Sequence, residues 1–242
     1  MFGQVKYEAM NAHLNSMLER RRVLISAHRG SGGGSIAVNT ELGIRAAFLS
    51  GADLVEIDVC ASVDGEFFCF HDGCEPELLG IEANLQTLTA EEIDRLSYIW
   101  VDRPGRPARV EHLLPLLRKF KDTDTLFNID RSWWRWPNAL MALDGLYMAH
   151  QLLMKCPAWE GAALQRLREF RVKFPFVPIC ATPDDVYRVV NHPQLNTLGV
   201  EVISTTQQSP WFSPSVIEEF QSMGVFVFVN TWNEYAAALI LV

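Results

Sequence analysis

The chain of 242 residues lacks several features that would place it in a large class of proteins. It has no uninterrupted apolar run of the roughly 20 residues needed to span a bilayer. Its N-terminus, MFGQVKYEAMNAHLNSMLERRR, has no central apolar stretch of the kind that marks a signal peptide. Basic residues are in the minority, since 21 Lys and Arg face 29 Asp and Glu and the net charge is -8. We therefore expect neither a nucleic-acid partner nor stable insertion into a membrane.

Cysteine is scarce as well. The five cysteines are an odd number and include no CxxC pair. We therefore expect no disulfide framework, a reducing environment and a cytoplasmic location.

The chain does have the composition of a globular protein with a sizeable core. Hydrophobic residues make up 49% and charged residues 21%. Seven short β-rich segments lie near residues 24, 55, 128, 155, 178, 201 and 227, and segments with helical spacing follow most of them. Repeated β-then-α units predict a parallel sheet. A chain of this length with no internal linker suits one TIM (βα)8-type barrel over residues 1–242.

Three segments are expected to depart from the simple repeat. Residues 1–21 form an N-terminal helical extension, and residues 73–125 hold a helical insertion with a capping box at Thr89 and Glu92 and a kink at Pro115. The last residues, NEYAAALILV, have the pattern of an amphipathic helix. Because a closed barrel needs eight strands, we expect the C-terminus to be truncated and the barrel to lack its last strand.

Strand parity identifies candidate functional side chains, because successive residues of a strand point to opposite faces. In the segment DLVEIDV, Glu56 and Asp58 share the face that would point into the barrel lumen, and the valine and isoleucine side chains between them would meet the helices. Two carboxylates in a lumen repel each other unless they are paired or bind a cation. A solvated edge strand or buried salt bridges would also account for them, so the residues alone leave these readings open.

The same parity adds three residues at the mouth of the barrel, where the strands reach their C-terminal ends. His28 ends VLISAH on the lumen face, Asp130 ends LFNID on the lumen face, and His71 ends EFFCFH. A site rich in carboxylate oxygen suits Mg²⁺ or Ca²⁺, and the sequence offers few nitrogen or sulfur ligands for Zn²⁺. The pattern does not settle whether Glu201 also faces the lumen.

Motifs in this part of the chain carry a family resemblance. The sequence contains, in this order, HRG (28–30), NT (39–40), VEIDV (55–59) with DG (64–65), and HD (71–72). Their order and spacing resemble those of the glycerophosphodiester phosphodiesterase family, and weaker similarity continues through FNID to FVNTWN. The resemblance implies a TIM-barrel fold, a small-molecule phosphodiester substrate, and hydrolysis to glycerol 3-phosphate and an alcohol.

The resemblance also implies a divalent cation, Mg²⁺ or Ca²⁺, as cofactor. Glu56 and Asp58 match two metal ligands of the family. Asp130 takes the position of the third ligand, which is usually glutamate, and it keeps the charge on a side chain one methylene shorter.

The catalytic groups follow from the same resemblance. His28 and His71 match the family's general acid–base pair, and Arg29 matches a residue that contacts the phosphate. In the family, a hydroxyl of the glycerol is thought to attack phosphorus, and water then opens the cyclic phosphate. One histidine would take the proton of the attacking hydroxyl while the other protonates the leaving alcohol.

Four departures from the family pattern bear on activity. The usual P-E-N-T reads AVNT (37–40), the lysine normally found two residues after the third ligand is Ser132, and the W-T-V-N pattern reads NTWN (230–233). The stretch G-x-D-x-I-x-T-D of the final strand is absent. Loss of the lysine removes a cation from the site, and Lys155 on the next strand is a candidate replacement.

Two alternatives to this hydrolysis stay open. A phospholipase D-like lyase acting on a lipid phosphodiester would leave a cyclic phosphate. A catalytically silent barrel would bind phosphate ligands or a protein partner, and Ser132 together with the missing strand motivates this alternative.

Two further segments are expected near the mouth. The glycine-rich RGSGGGS (29–35) predicts a flexible loop close to the phosphate. Trp133, Trp134 and Trp136 either wall the substrate pocket or pack beneath the outer helices.

Overall fold

The structure is a computed structural model that describes residues 1–99, 107–204, 211, 213–231 and 238–241. In chain order the strands of this described part are β1 (Leu24–Ala27), β2 (Leu54–Ala61), β3 (Phe67–Cys69), β4 (Glu111–His112), β5 (Leu126–Asp130), β6 (Leu152–Met154), β7 (Ile179–Cys180), β8 (Gly199–Ser204), β9 (Phe226–Thr231) and β10 (Ala238–Leu241). Its α-helices are α1 (Glu8–Arg21), α2 (Glu41–Leu49), α3 (Glu75–Leu79), α4 (Ala90–Ile93), α5 (Leu113–Arg118), α6 (Asn138–Asp144), α7 (Gly161–Glu169), α8 (Pro183–Val189) and α9 (Pro214–Ser222). Short 3₁₀ turns lie at Val5–Tyr7, Leu85–Thr87, Ser132–Arg135 and Ala149–Gln151.

Seven of the strands form a parallel barrel in the order β1, β2, β5, β6, β7, β8, β9. Each lies at or next to a segment that the sequence predicts as a strand, and the architecture is of the predicted TIM-barrel type. Two backbone bridges connect β6 to β7, one between Met154 and Phe176 and one between Pro157 and Ile179.

An antiparallel strand fills the gap between the first and last of these seven. In β10, Ile240 lies opposite Val229 of β9 on one side and opposite Ile25 of β1 on the other. The predicted helix is therefore wrong at Ala238–Leu241. The facing edges of β1 and β9 would otherwise carry unpaired N–H and C=O groups, and a strand between them satisfies both edges whereas a helix would pair with neither. Trp232 and Asn233 of the NTWN pattern lie outside the described residues.

Side chains of the barrel strands alternate between two cores, as strand parity predicts. Val55, Ile57 and Val59 of β2 point outward and are buried with residues of the surrounding helices. The lower lumen is apolar and is filled by Leu24, Leu54, Leu126, Leu153, Val177, Leu198, Phe226 and Phe228.

Helix α1 packs across the bottom of the barrel. Its side chains Leu14, Met17 and Leu18 join the apolar cluster of the lower lumen. Leu14 is only 1% exposed. The helix within residues 1–21 therefore covers the N-terminal ends of the strands and leaves the opposite end, the mouth, for function.

Short elements occupy the described residues of the segment 73–125. Thr89 and Glu92 form the predicted capping box at the start of α4. The segment VEHLLPLLRKF (110–120), for which the sequence predicts one helix kinked at Pro115, includes strand β4 near its start, and α5 starts only at Leu113. Pro115 therefore lies in the first helical turn, where backbone N–H groups have no partner within the helix and proline is tolerated.

The five cysteines are free thiols, and all except Cys74 are buried. Burial raises the pKa of the Cys69 thiol well above its ordinary value, which keeps that side chain uncharged in the core. In the described part of the chain, no helix combines the length and the apolar character that crossing a bilayer would require.

Candidate active site

Three acidic side chains meet at the mouth of the barrel. The register of β2 against β5 places Asp58 beside Asp130, and Glu56 lies two residues below Asp58 on the same face. One carboxylate oxygen from each of the three lies within 4.8 Å of the others. Glu56 and Asp58 are almost completely buried, whereas Asp130 is 18% exposed. The structure thus brings together the three carboxylates that the sequence singles out.

The loop after β1 holds two of these carboxylates. The backbone N–H of Arg29 donates a hydrogen bond to Glu56 Oε2 at 2.9 Å, and Arg29 Nε lies 3.0 Å from Asp58 Oδ2. Asn39 Nδ2 donates to Asp58 Oδ2 at 3.0 Å, and the backbone N–H of Asp58 donates to Asn39 Oδ1 at 3.1 Å. These contacts fix the orientation of both carboxylates.

A buried lysine holds the third carboxylate. Lys155, the residue after β6, has its Nζ 2.6 Å from Asp130 Oδ2 and 2.8 Å from Glu201 Oε2. Glu201 therefore faces the lumen. Although burial alone would lower the pKa of Lys155, Asp130 and Glu201 raise it above its ordinary value, so the lysine stays charged. Ser132 is buried and accepts a hydrogen bond from Trp136 Nε1 at 3.2 Å.

The two histidines also lie at this end of the barrel. His28 follows β1, its Nε2 lies 3.8 Å from Glu56 Oε2, and its side chain is 45% exposed. His71 follows β3, and its Nδ1 lies 3.6 Å from Cys74 Sγ. The same sulfur lies 3.8 Å from Nη1 of Arg29. Cys74 thus connects His71 to the arginine that holds the carboxylates.

Burial and charge shift the pKa values of two groups at the mouth in opposite directions. Burial lowers the pKa of His28 below its ordinary value, and the charge of Arg29 lowers it further. This direction favours the neutral imidazole. Burial raises the pKa of Glu56 well above its ordinary value, and the charges of Asp58 and Asp130 raise it further.

The donor set fits a divalent cation bound through oxygen. Glu56 Oε1 is buried and has no hydrogen-bond donor among the residues that the structure describes. A buried carboxylate oxygen without a partner is costly. A cation would satisfy this oxygen and remove the repulsion between the carboxylates. The residues that could hold it are Glu56, Asp58 and Asp130, and three carboxylates suit Mg²⁺ or Ca²⁺ better than Zn²⁺.

Arg131 ties β5 to the loop that carries His71. Its Nη2 lies 2.7 Å from Asp72 Oδ1, and its backbone N–H donates to Asp130 Oδ1 at 2.6 Å. Arg131 has a backbone φ of 59°, and Arg29 and Asn39 each have a φ of 55°. Non-glycine residues rarely adopt this left-handed region. Three residues around one group of carboxylates adopt it here, and such a cluster of strained backbone is typical of functional sites.

A cleft of about 540 Å³ opens beside His28 and Arg29. The glycine-rich loop forms one wall of it. Apolar side chains line other parts of the cleft, namely Ile36, Val38, Leu78, Tyr98 and Ile99. Gly30 in this loop has a φ of +73°, and a Cβ there would lie 2.8 Å from the backbone of Gly43. Only glycine fits this position without a shift of the backbone.

The tryptophans after β5 differ in burial, and the core alternative holds for two of them. Trp133 and Trp136 are 7% and 3% exposed and belong to the core beneath the outer helices. Trp134 is 57% exposed.

Sequence reasoning assigned no role to Asn39, Cys74 or Glu201. A signal existed for Asn39, which belongs to the NT pair among the motifs. A signal also existed for Glu201, because Val200 and Val202 have the apolar character of outward residues and parity then turns Glu201 inward. Nothing in the sequence pointed to Cys74.

Comparison with known proteins gives one family. A family model described as the glycerophosphoryl diester phosphodiesterase family matches residues 28–241. A search of curated proteins found no match. Among solved structures, a glycerophosphodiester phosphodiesterase from Agrobacterium tumefaciens is similar with a TM-score of 0.64 at 18% identity, over 88% of this chain and 87% of that one.

Two further solved structures resemble the chain. A phosphodiesterase from Oleispira antarctica, in complex with the product sn-glycerol-3-phosphate, has a TM-score of 0.64 at 17% identity, over 86% of this chain and 84% of that one. A glycerophosphodiester phosphodiesterase from Thermotoga maritima has a TM-score of 0.60 at 19% identity, over 87% of each chain. At these identities the likeness concerns the fold.

Proposed function

Because the chain belongs to the glycerophosphoryl diester phosphodiesterase family, which consists of phosphoric diester hydrolases, we propose that it hydrolyses glycerophosphodiesters to glycerol 3-phosphate and an alcohol. The main support for this proposal is one observation. One carboxylate oxygen from each of Glu56, Asp58 and Asp130 lies within 4.8 Å of the others, beside Arg29 and His28. The likeness of the fold to a phosphodiesterase that holds sn-glycerol-3-phosphate also supports it.

The chain's own groups suit the binding of a phosphodiester. Arg29 offers a planar guanidinium, which matches the geometry of phosphate oxygens. Glu56, Asp58 and Asp130 would hold a divalent cation, Mg²⁺ or Ca²⁺, which would polarise the phosphate and lower the pKa of the attacking hydroxyl. Phosphoryl transfer depends chiefly on such positioning and charge neutralisation.

His28 and His71 would move the protons. In the first stage, one imidazole accepts the proton of a glycerol hydroxyl while that oxygen forms its bond to phosphorus. The other histidine, as imidazolium, gives its proton to the alcohol oxygen while the bond from that oxygen to phosphorus breaks. The products of this stage are the free alcohol and a cyclic phosphate.

The second stage reverses these roles. A water molecule attacks phosphorus and gives its proton to the histidine that acted as acid. The histidine that acted as base returns its proton to the glycerol oxygen while that oxygen leaves phosphorus. Both histidines regain their starting states, and glycerol 3-phosphate is released.

The test measures release of glycerol 3-phosphate from glycerophosphocholine in the presence of Mg²⁺ or Ca²⁺. We expect His28→Ala and His71→Ala to lower kcat by about 10²–10⁴-fold while binding of Mn²⁺ stays nearly unchanged. His150→Ala is the matched control, because this exposed histidine lies before β6, away from the mouth. Full turnover by either mouth variant would contradict the assigned roles. A wild-type chain that hydrolyses no diester would favour a silent phosphate-binding barrel.

The apolar lining of the cleft favours a second candidate substrate, a phosphodiester that carries an apolar chain. The cleft adjoins His28 and Arg29, so a chain attached to a bound phosphodiester could lie along Val38 and Ile99. Ile99 is 47% exposed, and covering its side chain with an apolar chain would favour binding. Burial of each methylene of such a chain contributes roughly 0.8 kcal/mol to the free energy of binding. Such a substrate would be a lipid phosphodiester, as expected for a lyase related to phospholipase D.

A comparison of two substrates separates the candidates. We expect Ile99→Asp to lower kcat/KM for lysophosphatidylcholine about tenfold, while kcat/KM for glycerophosphocholine stays within about twofold. Equal effects on both substrates would reject the apolar-chain candidate. Phosphorus NMR identifies the product, because a lyase leaves a persistent cyclic ester and a hydrolase does not.

A further inference from the structure

We propose that Lys155, held by Glu201, is a positioning residue that acts through Asp130 and sets how tightly the carboxylates at the mouth bind a divalent cation. This inference rests on the proposed function, because it concerns the same cation.

The geometry places Lys155 between two carboxylates and away from solvent. Its Nζ lies 2.6 Å from Asp130 Oδ2 and 2.8 Å from Glu201 Oε2. The lysine is 3% exposed and Glu201 is completely buried. An ammonium group enclosed to this degree is stable only with close partners of opposite charge. With both carboxylates in contact and almost no exposed surface, Lys155 acts on the site through Asp130.

Asp130 is fixed at both of its oxygens. Lys155 contacts Oδ2, and the backbone N–H of Arg131 donates to Oδ1 at 2.6 Å. The two donors hold the carboxylate in the orientation that brings it within reach of Glu56 and Asp58. The ammonium charge also competes with a divalent cation for the negative charge of Asp130. Lys155 therefore holds the Asp130 carboxylate in position and, at the same time, lowers its affinity for a divalent cation.

The balance of charge around the site makes this competition testable. Four carboxylates, those of Glu56, Asp58, Asp130 and Glu201, face two cationic side chains, those of Arg29 and Lys155. With all six groups ionised, two negative charges remain, which a divalent cation neutralises. Removing the lysine charge leaves the site more negative, and removing the Glu201 charge leaves it less negative. The two changes should therefore shift cation affinity in opposite directions.

The experiment titrates the full chain with Mn²⁺ and follows the free ion by electron paramagnetic resonance. We expect Lys155→Met to tighten Mn²⁺ binding by about tenfold and Glu201→Gln to weaken it by about tenfold, as expected for one unit charge acting close to the ion. Both replacements keep nearly the length of the native side chain, so the packing of the lumen changes little.

Two further variants control for structure. Lys155→Arg keeps the charge and is expected to bind Mn²⁺ within about threefold of the wild-type affinity. The double variant Lys155→Met with Glu201→Gln removes the pair without changing the net charge. We expect it also to bind Mn²⁺ within about threefold of the wild-type affinity. Circular dichroism and thermal unfolding establish that each variant is folded. If Lys155→Met does not fold, Glu201→Gln and the double variant still decide the outcome.

The outcomes separate this inference from the proposed function. A purely structural role for the pair would make both single variants bind Mn²⁺ more weakly, and that result would overturn the inference even if the wild-type chain hydrolyses glycerophosphodiesters. Opposite shifts in a chain that hydrolyses none of them would support the inference and reject the hydrolysis. Absence of Mn²⁺ binding by the wild-type chain would overturn the inference and the proposed cation together.

Discussion

Asn39 and Asp58 are joined by two hydrogen bonds that run in opposite directions, of 3.0 and 3.1 Å. One runs from the amide of Asn39 to the carboxylate, and the other runs from the backbone of Asp58 to the amide. Asn39 adopts a left-handed backbone with a φ of 55°, a conformation that asparagine tolerates better than most residues. A single amide side chain therefore ties the loop after β1 to a carboxylate of β2.

Replacing this amide tests its importance for stability. Asn39→Ala leaves the backbone N–H of Asp58 buried without its acceptor, and we expect the free energy of unfolding to fall by about 1–3 kcal/mol. Mn²⁺ binding should weaken as well, because the Asp58 carboxylate loses a donor that orients it. Urea denaturation and Mn²⁺ titration measure the two effects. An unchanged midpoint in urea would show that water replaces both bonds.

The glycine at the start of the mouth loop is expected to tolerate no side chain. Gly30→Ala places a Cβ 2.8 Å from the backbone of Gly43 at a φ of +73°, and we expect a loss of about 1–3 kcal/mol in the free energy of unfolding. A lower kcat should accompany it, because Gly30 follows His28 and Arg29 directly.

The matched control for this change is Gly161→Ala at the first residue of α7, where nothing lies within 4 Å of the added Cβ. Its effect on the free energy of unfolding should not exceed about 1 kcal/mol. Thermal unfolding and steady-state kinetics of both variants decide the comparison. Equal losses at the two positions would contradict the predicted crowding at Gly30.

The helix beneath the barrel is expected to matter for stability and not for chemistry. Leu14→Ala removes a side chain that is 1% exposed and packed into the lower lumen. We expect a loss of about 2–5 kcal/mol in the free energy of unfolding, with kcat unchanged at temperatures where the variant is folded. Glu8→Ala in the same helix is the control, because Glu8 is exposed. A Leu14 variant with native stability would mean that α1 packs elsewhere in solution.

Divalent cations are expected to stabilise the folded chain. The three carboxylates come from two strands and converge only when the barrel is formed, so the cation binds the folded state. At about 100 times its Kd, Mg²⁺ or Ca²⁺ should raise the free energy of unfolding by about 2.7 kcal/mol, and a chelator should reverse the gain.

A pair of carboxylate variants controls this measurement. Asp58→Asn should abolish most of the gain, because it removes one of the three converging carboxylates. Glu91→Gln should leave the gain intact, because this carboxylate is 79% exposed and outside the group. Urea denaturation with and without the cation gives both values. Stabilisation that survives Asp58→Asn would place the cation elsewhere.

The barrel and the meeting of its carboxylates could be predicted from the sequence because both depend on local regularities. Alternating β-rich and helical segments give the order of the strands, and the two-residue repeat of a strand turns Glu56 and Asp58 inward. The same repeat places Asp130 at the end of the neighbouring strand. No knowledge of distant contacts is needed for these inferences.

Other features depend on contacts that a linear pattern does not contain. Residues Ala238–Leu241 have helical spacing, yet the open edges of β1 and β9 draw them into a strand. Lys155 and Glu201 lie on separate strands, and their pairing with Asp130 appears only when the lumen is assembled. The exchange of hydrogen bonds between Asn39 and Asp58 likewise requires the folded loop.

Leucine and phenylalanine side chains fill the lower lumen, and α1 lies beneath them. Within the described residues, the carboxylates can therefore be reached from one side only. A molecule that leaves the site must retrace the path on which the next one arrives. Glycerol 3-phosphate, the last product to leave in the proposed scheme, and incoming substrate consequently compete for the same free site, and inhibition by glycerol 3-phosphate should be competitive.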